Sequence, residues 1–233
     1  MSPDIAIIDS GINPWHIHVQ GVEGGIAFYS DSEGLTTDGD FRDAIGHGTA
    51  IAGIIREKIP SARMYAVKIF HEELNAPVSL LLGALEWAID KNIKIIHLSL
   101  GTERETYRNE LESLCQYAFD KGIVMLAAAR SPDDRVFPSV FETVIGVCWD
   151  RGCNETSIRY YPGEKVEFGA YGWPRAIPGL PQEKNFCGNS FAAAHITARV
   201  AQLLERNPGA EPLQIKEMLI KMASKNSEQR ATF

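Results

Sequence analysis

With 233 residues, 45% of them apolar and 23% charged, the chain is long enough to bury a core as one globular domain without disulfide or metal staples. Its formal charge of −7 and pI near 5.4 argue against a nucleic-acid partner, which requires a basic footprint. No basic segment leads into an apolar run at MSPDIAIIDSGI, and the longest apolar runs, such as residues 123–129, fall far short of a bilayer. A cytoplasmic location with no membrane partner is therefore expected.

Strand and helix signals then alternate along the chain. Residues 5–8 are a short β-branched run that ends in Asp-Ser-Gly, which reads as a buried strand entering a loop. The polar, glycine-rich SDSEGLTTDGDFRD is expected to be a loop, and GTAIAGIIREK, after His47, a helix of small residues. ARMYAVKIF predicts a strand, and SLLLGALEWAIDKN a helix stopped near Asn92. IKIIHLSLG is a second buried strand, YRNELESLCQYAFDKG an amphipathic helix closed by Gly122, and IVMLAAA and TVIGVCW two further strands. Residues 152–188, rich in Gly, Pro and aromatics, predict loops and hairpins. GNSFAAAHITARVAQLL and EPLQIKEMLIKMA are the last two helices, and 224–233 is expected to be a frayed polar tail beyond a single domain, 1–223. The alternation predicts an α/β fold, a mostly parallel sheet with helices on both faces and its chemistry at the carboxyl ends of the strands.

Three polar residues sit in glycine-flanked turns of this pattern: Asp9 at the end of the first strand, His47 at a helix start, and Ser190 ahead of the small-residue helix. Each alone has a bland reading. Asp-Ser-Gly is commonly a turn, a lone histidine is commonly structural, and Asn189 or Ser190 could simply cap the helix. Together they offer a nucleophile, a base and an orienting carboxylate, in the chain order Asp, His, Ser. His16 and His18 are read as loop packing, and His97 and His195 as structural.

Through DSGI at Asp9, GHGTAIAG at His47, YAVKIF at Tyr65, SLG at Ser99, FPSVFETVIGV at Phe137 and GNSFAAAH at Ser190, the chain resembles the subtilase family of serine peptidases over nearly its whole length. The resemblance implies a subtilisin-like three-layer fold and a serine endopeptidase with Asp9, His47 and Ser190 as triad. It also implies a protein or peptide substrate bound as an extended strand along Ser99, Leu100 and Gly101, with Ala128, Ala129 and Arg130 forming a pocket wall. Compactness and the absent secretion signal favour the processing of a specific intracellular precursor.

The chain departs from the family pattern where an Ala-Ala-Gly-Asn segment usually supplies the oxyanion donor. It reads AAARSPDD, with Arg130 for the glycine and Ser131 for the asparagine. Ser131 and Asn189 are the candidate donors, and Arg130 either supplies a charge or fills the primary specificity pocket. Exposed beside that pocket, Arg130 predicts tolerance for an acidic or polar substrate side chain. This departure keeps a second class of function open, a binding or regulatory module with little turnover, or an enzyme completed by a partner. No cofactor is expected. IIREKIPSARMYAVK leaves no room for the usual high-affinity calcium loop, and Asp31, Glu33, Asp38, Asp40 and Asp43 form a solvated acidic loop that fits no EF-hand spacing, although a weak calcium site stays open. Only eight residues precede Asp9, so the folding propeptide of secreted relatives is not expected in this chain. The four cysteines show no CxxC pairing and are expected to be reduced. A Cys148–Cys153 bridge is the lesser alternative, and Cys187 is placed near Ser190.

Overall fold

The computed structural model describes residues 2–32 and 34–230, those from 224 onward by their backbone alone. In chain order the elements are β1 (Asp4–Asp9), β2 (Gly24–Asp31), β3 (Gly34–Asp38), α1 (His47–Lys58), β4 (Arg63–Lys68), α2 (Val78–Asp90), β5 (Ile95–Leu98), α3 (Arg108–Asp120), β6 (Val124–Ala128), β7 (Val144–Trp149), β8 (Ile158–Tyr160), β9 (Phe168–Ala170), α4 (Asn189–Arg206) and α5 (Pro212–Arg230). Of the expected tail at 224–233, residues 231–233 lie outside the described residues, and 224–230 continue the backbone of α5.

The strands form one sheet in the order β3-β2-β4-β1-β5-β6-β7-β9-β8. Every pairing from β2 across to β9 is parallel, and the outer strands β3 and β8 add antiparallel edges. Continuous apolar runs make such strands because both faces are covered. Along β1, Ile5 and Ile7 enter a core shared with α1, α4 and α5, while Ala6 and Ile8 enter the core under α2 and α3. The result is a three-layer α/β sandwich. Among the described residues no helix is long and apolar enough to cross a membrane.

SDSEGLTTDGDFRD departs from the loop expectation. Its first part is a hairpin in which β3 pairs with β2 from Ala27↔Asp38 to Asp31↔Gly34. All of β3 is exposed, so no apolar alternation marks it as a strand, and backbone pairing at the sheet edge holds it. Cys148 and Cys153 are buried thiols with no bridge, Cys115 is buried, and Cys187 is exposed.

Parallel order brings the ends of β1, β5 and β6 together at the centre of the sheet, where α1 and α4 begin. The close seat of α1 depends on Gly48. A Cβ there would lie 2.2 Å from the Gly11 carbonyl oxygen and 3.1 Å from Asp9 Oδ1, so any side chain would force the helix off the loop after β1.

Candidate active site

Asp9 ends β1 in the middle of the sheet and is fully buried. Both of its carboxylate oxygens lie 2.9 Å from Nδ1 of His47, and the Ser10 amide donates to Oδ1 at 2.7 Å. His47 opens α1, and its ring is fenced by Phe191, with centroids 5.1 Å apart, and by the edge-on Phe186 at 5.8 Å. The Nδ1–H tautomer follows, since a carboxylate can only accept. It leaves Nε2 with a lone pair.

The electrostatics oppose burial and win. Burial alone would raise the Asp9 pKa. The charge and hydrogen bond of His47, the Ser10 amide and the Ser99 hydroxyl together bring it below the usual carboxylate value. Burial alone would lower the His47 pKa, but the charge and hydrogen bond of Asp9 and the charge of Asp43 raise it above the usual imidazole value.

Asp43 has a role that its acidic neighbourhood concealed. Its Oδ1 accepts the amides of Ile45 and Gly46, and its Oδ2 accepts the amide and hydroxyl of Thr49. It therefore anchors the N-terminus of the helix that carries His47, where negative charge is favoured. Asp40 pairs with Arg42, Asp31 and Asp38 belong to the edge hairpin, and Glu33 lies outside the described residues. Among the described residues no group of three or more His, Cys, Asp or Glu is arranged to hold a metal ion.

Ser190 is the second residue of α4. The reading of Asn189 or Ser190 as the helix cap is overturned. The cap is Gly188 at φ +139°, a left-handed conformation that side chains rarely adopt, and no side chain caps the helix. The Ser190 hydroxyl instead donates to the Ser99 carbonyl at 3.4 Å. No hydrogen bond joins it to His47 in this structure, and such contacts are commonly loose without substrate.

His47, Ser190, Asn189 and Cys187 line an open cleft of about 750 Å³ together with Ser99, Leu100 and Gly101 beyond β5 and Ala128, Ala129 and Arg130 at the end of β6. Neither Leu100 nor Gly101 takes part in a loop backbone hydrogen bond among the described residues. The structure treats the two oxyanion candidates differently. Ser131 is not among the cleft-lining residues, and its hydroxyl is given to Asp133 at 2.7 Å. Asn189 lines the cleft with its Oδ1 fixed by the Trp149 amide at 2.8 Å, which turns the amide nitrogen the other way.

Arg130 lines the same cleft. Its side chain is 61% exposed, and the guanidinium clasps Asp134, at 2.7 Å, and Glu103 from the opposite wall. Its charge is thereby paired with two carboxylates.

The other histidines singled out in the sequence, His16, His18, His97 and His195, are not among the cleft-lining residues. His195 donates from Nε2 to the Trp173 carbonyl at 2.9 Å, and its burial lowers its pKa to about 4. His16 and His18 stack edge to face with centroids 5.0 Å apart. His97, buried in β5, reaches Thr197 and Ser99. Sequence reasoning missed Asp43, the aromatic fence of Phe186 and Phe191, and the contacts of His97. A carboxylate six residues before the Thr of GHGT was the available signal for Asp43.

A model of the subtilase family matches residues 2–233. The minor extracellular protease Epr of Bacillus subtilis (strain 168) is 28% identical over 231 residues, 93% of this chain and 34% of that protein. Subtilisin E of the same organism is 27% identical over 232 residues, 92% of this chain and 58% of that protein. The chain thus spans less than two thirds of the length of either relative. Solved structures similar in fold include a lanthipeptide protease (TM-score 0.72, 19% identity, 94% of this chain and 79% of that one) and sphericase (TM-score 0.68, 20% identity, 93% and 83%).

Proposed function

Because the chain belongs to the subtilase family, we propose that it is a serine endopeptidase that cuts peptide bonds through an acyl-enzyme on Asp9, His47 and Ser190. One observation carries the proposal. A fully buried carboxylate grips the His47 imidazole with both oxygens at the floor of a cleft that also holds Ser190.

In this reading the substrate lies extended against Leu100 and Gly101, whose loop backbone is free to pair with it. Ser190 Oγ attacks the scissile carbonyl, and its proton passes to Nε2 of His47. The imidazolium, steadied by Asp9, then protonates the departing amine. Water attacks the acyl-enzyme by the same proton path in reverse. The oxyanion faces the Ser190 amide, which has no helical partner in the first turn of α4, and the Nδ2 donor of Asn189. Nucleophile, base and acid are all side chains, so the proposed reaction needs no cofactor.

The pH profile follows from the shifts. His47 must be neutral to accept the proton, and its pKa is raised, so the acid limb of kcat/KM is expected to have its midpoint above the 6.5 of an ordinary histidine. Asp9, with its pKa lowered, stays ionised throughout that limb. Casein hydrolysis followed across pH tests this, and a midpoint below 6.5 contradicts it.

We extend the proposal to restricted processing of a particular protein or peptide precursor in the cytoplasm, supported by the clasp of Glu103, Arg130 and Asp134 across the cleft walls. Digestion of a denatured proteome is expected to yield few cleavage sites sharing one sequence pattern, and indiscriminate cleavage would refute the restriction. Breaking the clasp with Arg130→Ala is expected to widen the set of sites cleaved.

A second reading is favoured by the Ser190 hydroxyl resting on Ser99 instead of His47. Here the triad closes only when a substrate or partner is bound. A burst of activity on adding such a partner to an otherwise silent enzyme would distinguish it.

A further inference from the structure

Beside Ser190 the cleft is walled by three segments of chain. Residues 99–102 leave β5 and residues 128–130 leave β6, two parallel strands paired from Ile95↔Val124 to Leu98↔Ala127. Paired strands stand only about 4.8 Å apart, so a substrate side chain finds room between these walls only past the edge of the sheet. The third segment, residues 134–137, is bonded to both walls. Thr102 and Phe137 exchange both of their backbone hydrogen bonds, at 2.8 and 2.9 Å. The Asp134 carboxylate accepts the Arg130 amide at 2.7 Å. The three segments thus enclose a slot, with hydrogen bonds at two of its corners and the sheet at the third.

Side chains along the slot are small, with one exception. Ala128 and Ala129 carry a methyl each and Gly101 carries none. A Cβ at Gly101 would lie 2.2 Å from Val136 Cγ1 and 2.4 Å from the Phe137 carbonyl oxygen. Val136 therefore lies directly against the Gly101 backbone, and it lines the cleft as well. Its two methyls supply bulk that positions 101, 128 and 129 lack.

Val136 is also held in place. Its carbonyl accepts the hydroxyl of the fully buried Ser139 at 2.7 Å, and the next residue, Phe137, is buried and locked in the bridge to Thr102. A valine is stiff at χ1 besides. A wall of this kind does not yield to a larger guest without displacing packed neighbours.

In the proposed reaction the substrate strand lies on Leu100 and Gly101 with its scissile carbonyl at Ser190. The side chain of the residue that owns that carbonyl then enters the slot. We propose that Val136 is the specificity-determining residue of this slot and limits it to a small side chain, that of Gly, Ala or Ser. Leu, Phe and other large side chains are refused. The inference rests on the serine peptidase reading and names the residue class that it cuts after.

The test uses two N-acylated 1-aminoalkylphosphonate diphenyl esters, one with a methyl side chain and one with a benzyl side chain. Each forms an O–P bond at Ser190 and releases phenol, the serine proton leaving with the phenolate oxygen. Neither requires a known substrate, and a fluorophosphonate without a side chain serves as the reference for serine reactivity. The wild-type protein is expected to react with the methyl probe faster than with the benzyl probe by about tenfold or more. Val136→Gly is expected to raise the benzyl rate about tenfold while leaving the methyl and fluorophosphonate rates nearly unchanged. Val136→Ala is expected to shift the ratio in the same direction by less, and it decides the matter if Val136→Gly does not fold. A change of ratio between two probes is not produced by mere loss of stability. A wild-type protein that takes the fluorophosphonate yet reacts no faster with the methyl probe overturns the inference, as does an unchanged ratio in the folded variants. Failure of the wild-type protein to take the fluorophosphonate overturns the serine peptidase reading instead.

Discussion

Replacing Ser190 by alanine is expected to lower peptide hydrolysis by about 10⁶-fold, to the residual rate that substrate binding and oxyanion donors sustain without a nucleophile. The expectation rests on placement. Ser190 enters the first turn of α4 from Gly188 at φ +139°, and its hydroxyl is not spent on capping the helix. Ser190 lines the cleft that His47 also lines. His47→Ala is expected to cost about as much, and the double variant little more than either alone, because a nucleophile and its base act as one unit. Initial rates on casein, with thermal melts to confirm folding, check this. A Ser190→Ala protein retaining more than a few per cent of wild-type turnover would mean that another group performs the attack.

The second large effect is expected at Asn189. Its amide is oriented rather than merely nearby, since the Trp149 amide holds Oδ1 at 2.8 Å. Nδ2 is then the donor available to the developing oxyanion. Asn189→Ala is expected to lower kcat by about 10²–10³ with a smaller change in KM, the range typical of losing one such donor. Alanine also releases Trp149, so a loss of position could imitate a loss of donor. Asn189→Asp separates the two, because it keeps an oxygen for the Trp149 amide and replaces the donor with a second acceptor. A loss in Asn189→Asp at least as large as in Asn189→Ala is the expected result. Ser131→Ala is expected to leave turnover essentially unchanged, since its hydroxyl is committed to Asp133 away from the cleft lining. The reverse pattern, with Ser131 sensitive and Asn189 silent, would place the oxyanion at the β6 side of the cleft.

Much of the fold was legible because a doubly covered parallel sheet writes itself into sequence. The apolar runs of β1, β5, β6 and β7 need no alternation, and the intervening helices carry helical spacing and clear stops, such as Asn92 at φ +51° and Gly122 at φ +70°. The edge hairpin was illegible for the converse reason. Nothing on β3 is buried, and backbone pairing leaves no trace in side-chain pattern.

The candidate site divides along the same line. Asp9, His47 and Ser190 stand in turns whose glycines mark them, and the sheet order brings those turns to one cleft. Roles that depend on where a side chain points were harder to read. Ser131 and Asn189 were equal candidates in the sequence, and only the folded chain gives them different hydrogen-bond partners. Arg130 read as a charge beside the pocket or a filler of it, and its pairing with Glu103 is visible only in the folded chain. Asp43 was lost among solvated carboxylates because its four donors, the amides of Ile45, Gly46 and Thr49 and the Thr49 hydroxyl, meet it only when α1 folds. His97 read as core for a sound reason, its place in a buried strand, and its contacts with Ser99 and Thr197 show only in the folded chain.

The central claim is that the Asp9–His47 pair activates one serine. Fluorophosphonate treatment of the folded protein, followed by intact-mass measurement and peptide mapping, tests it most directly. The account predicts a single adduct, located on Ser190 and absent from the folded His47→Ala protein. A folded wild-type chain that takes up no label, or that carries it on another residue, would contradict the account.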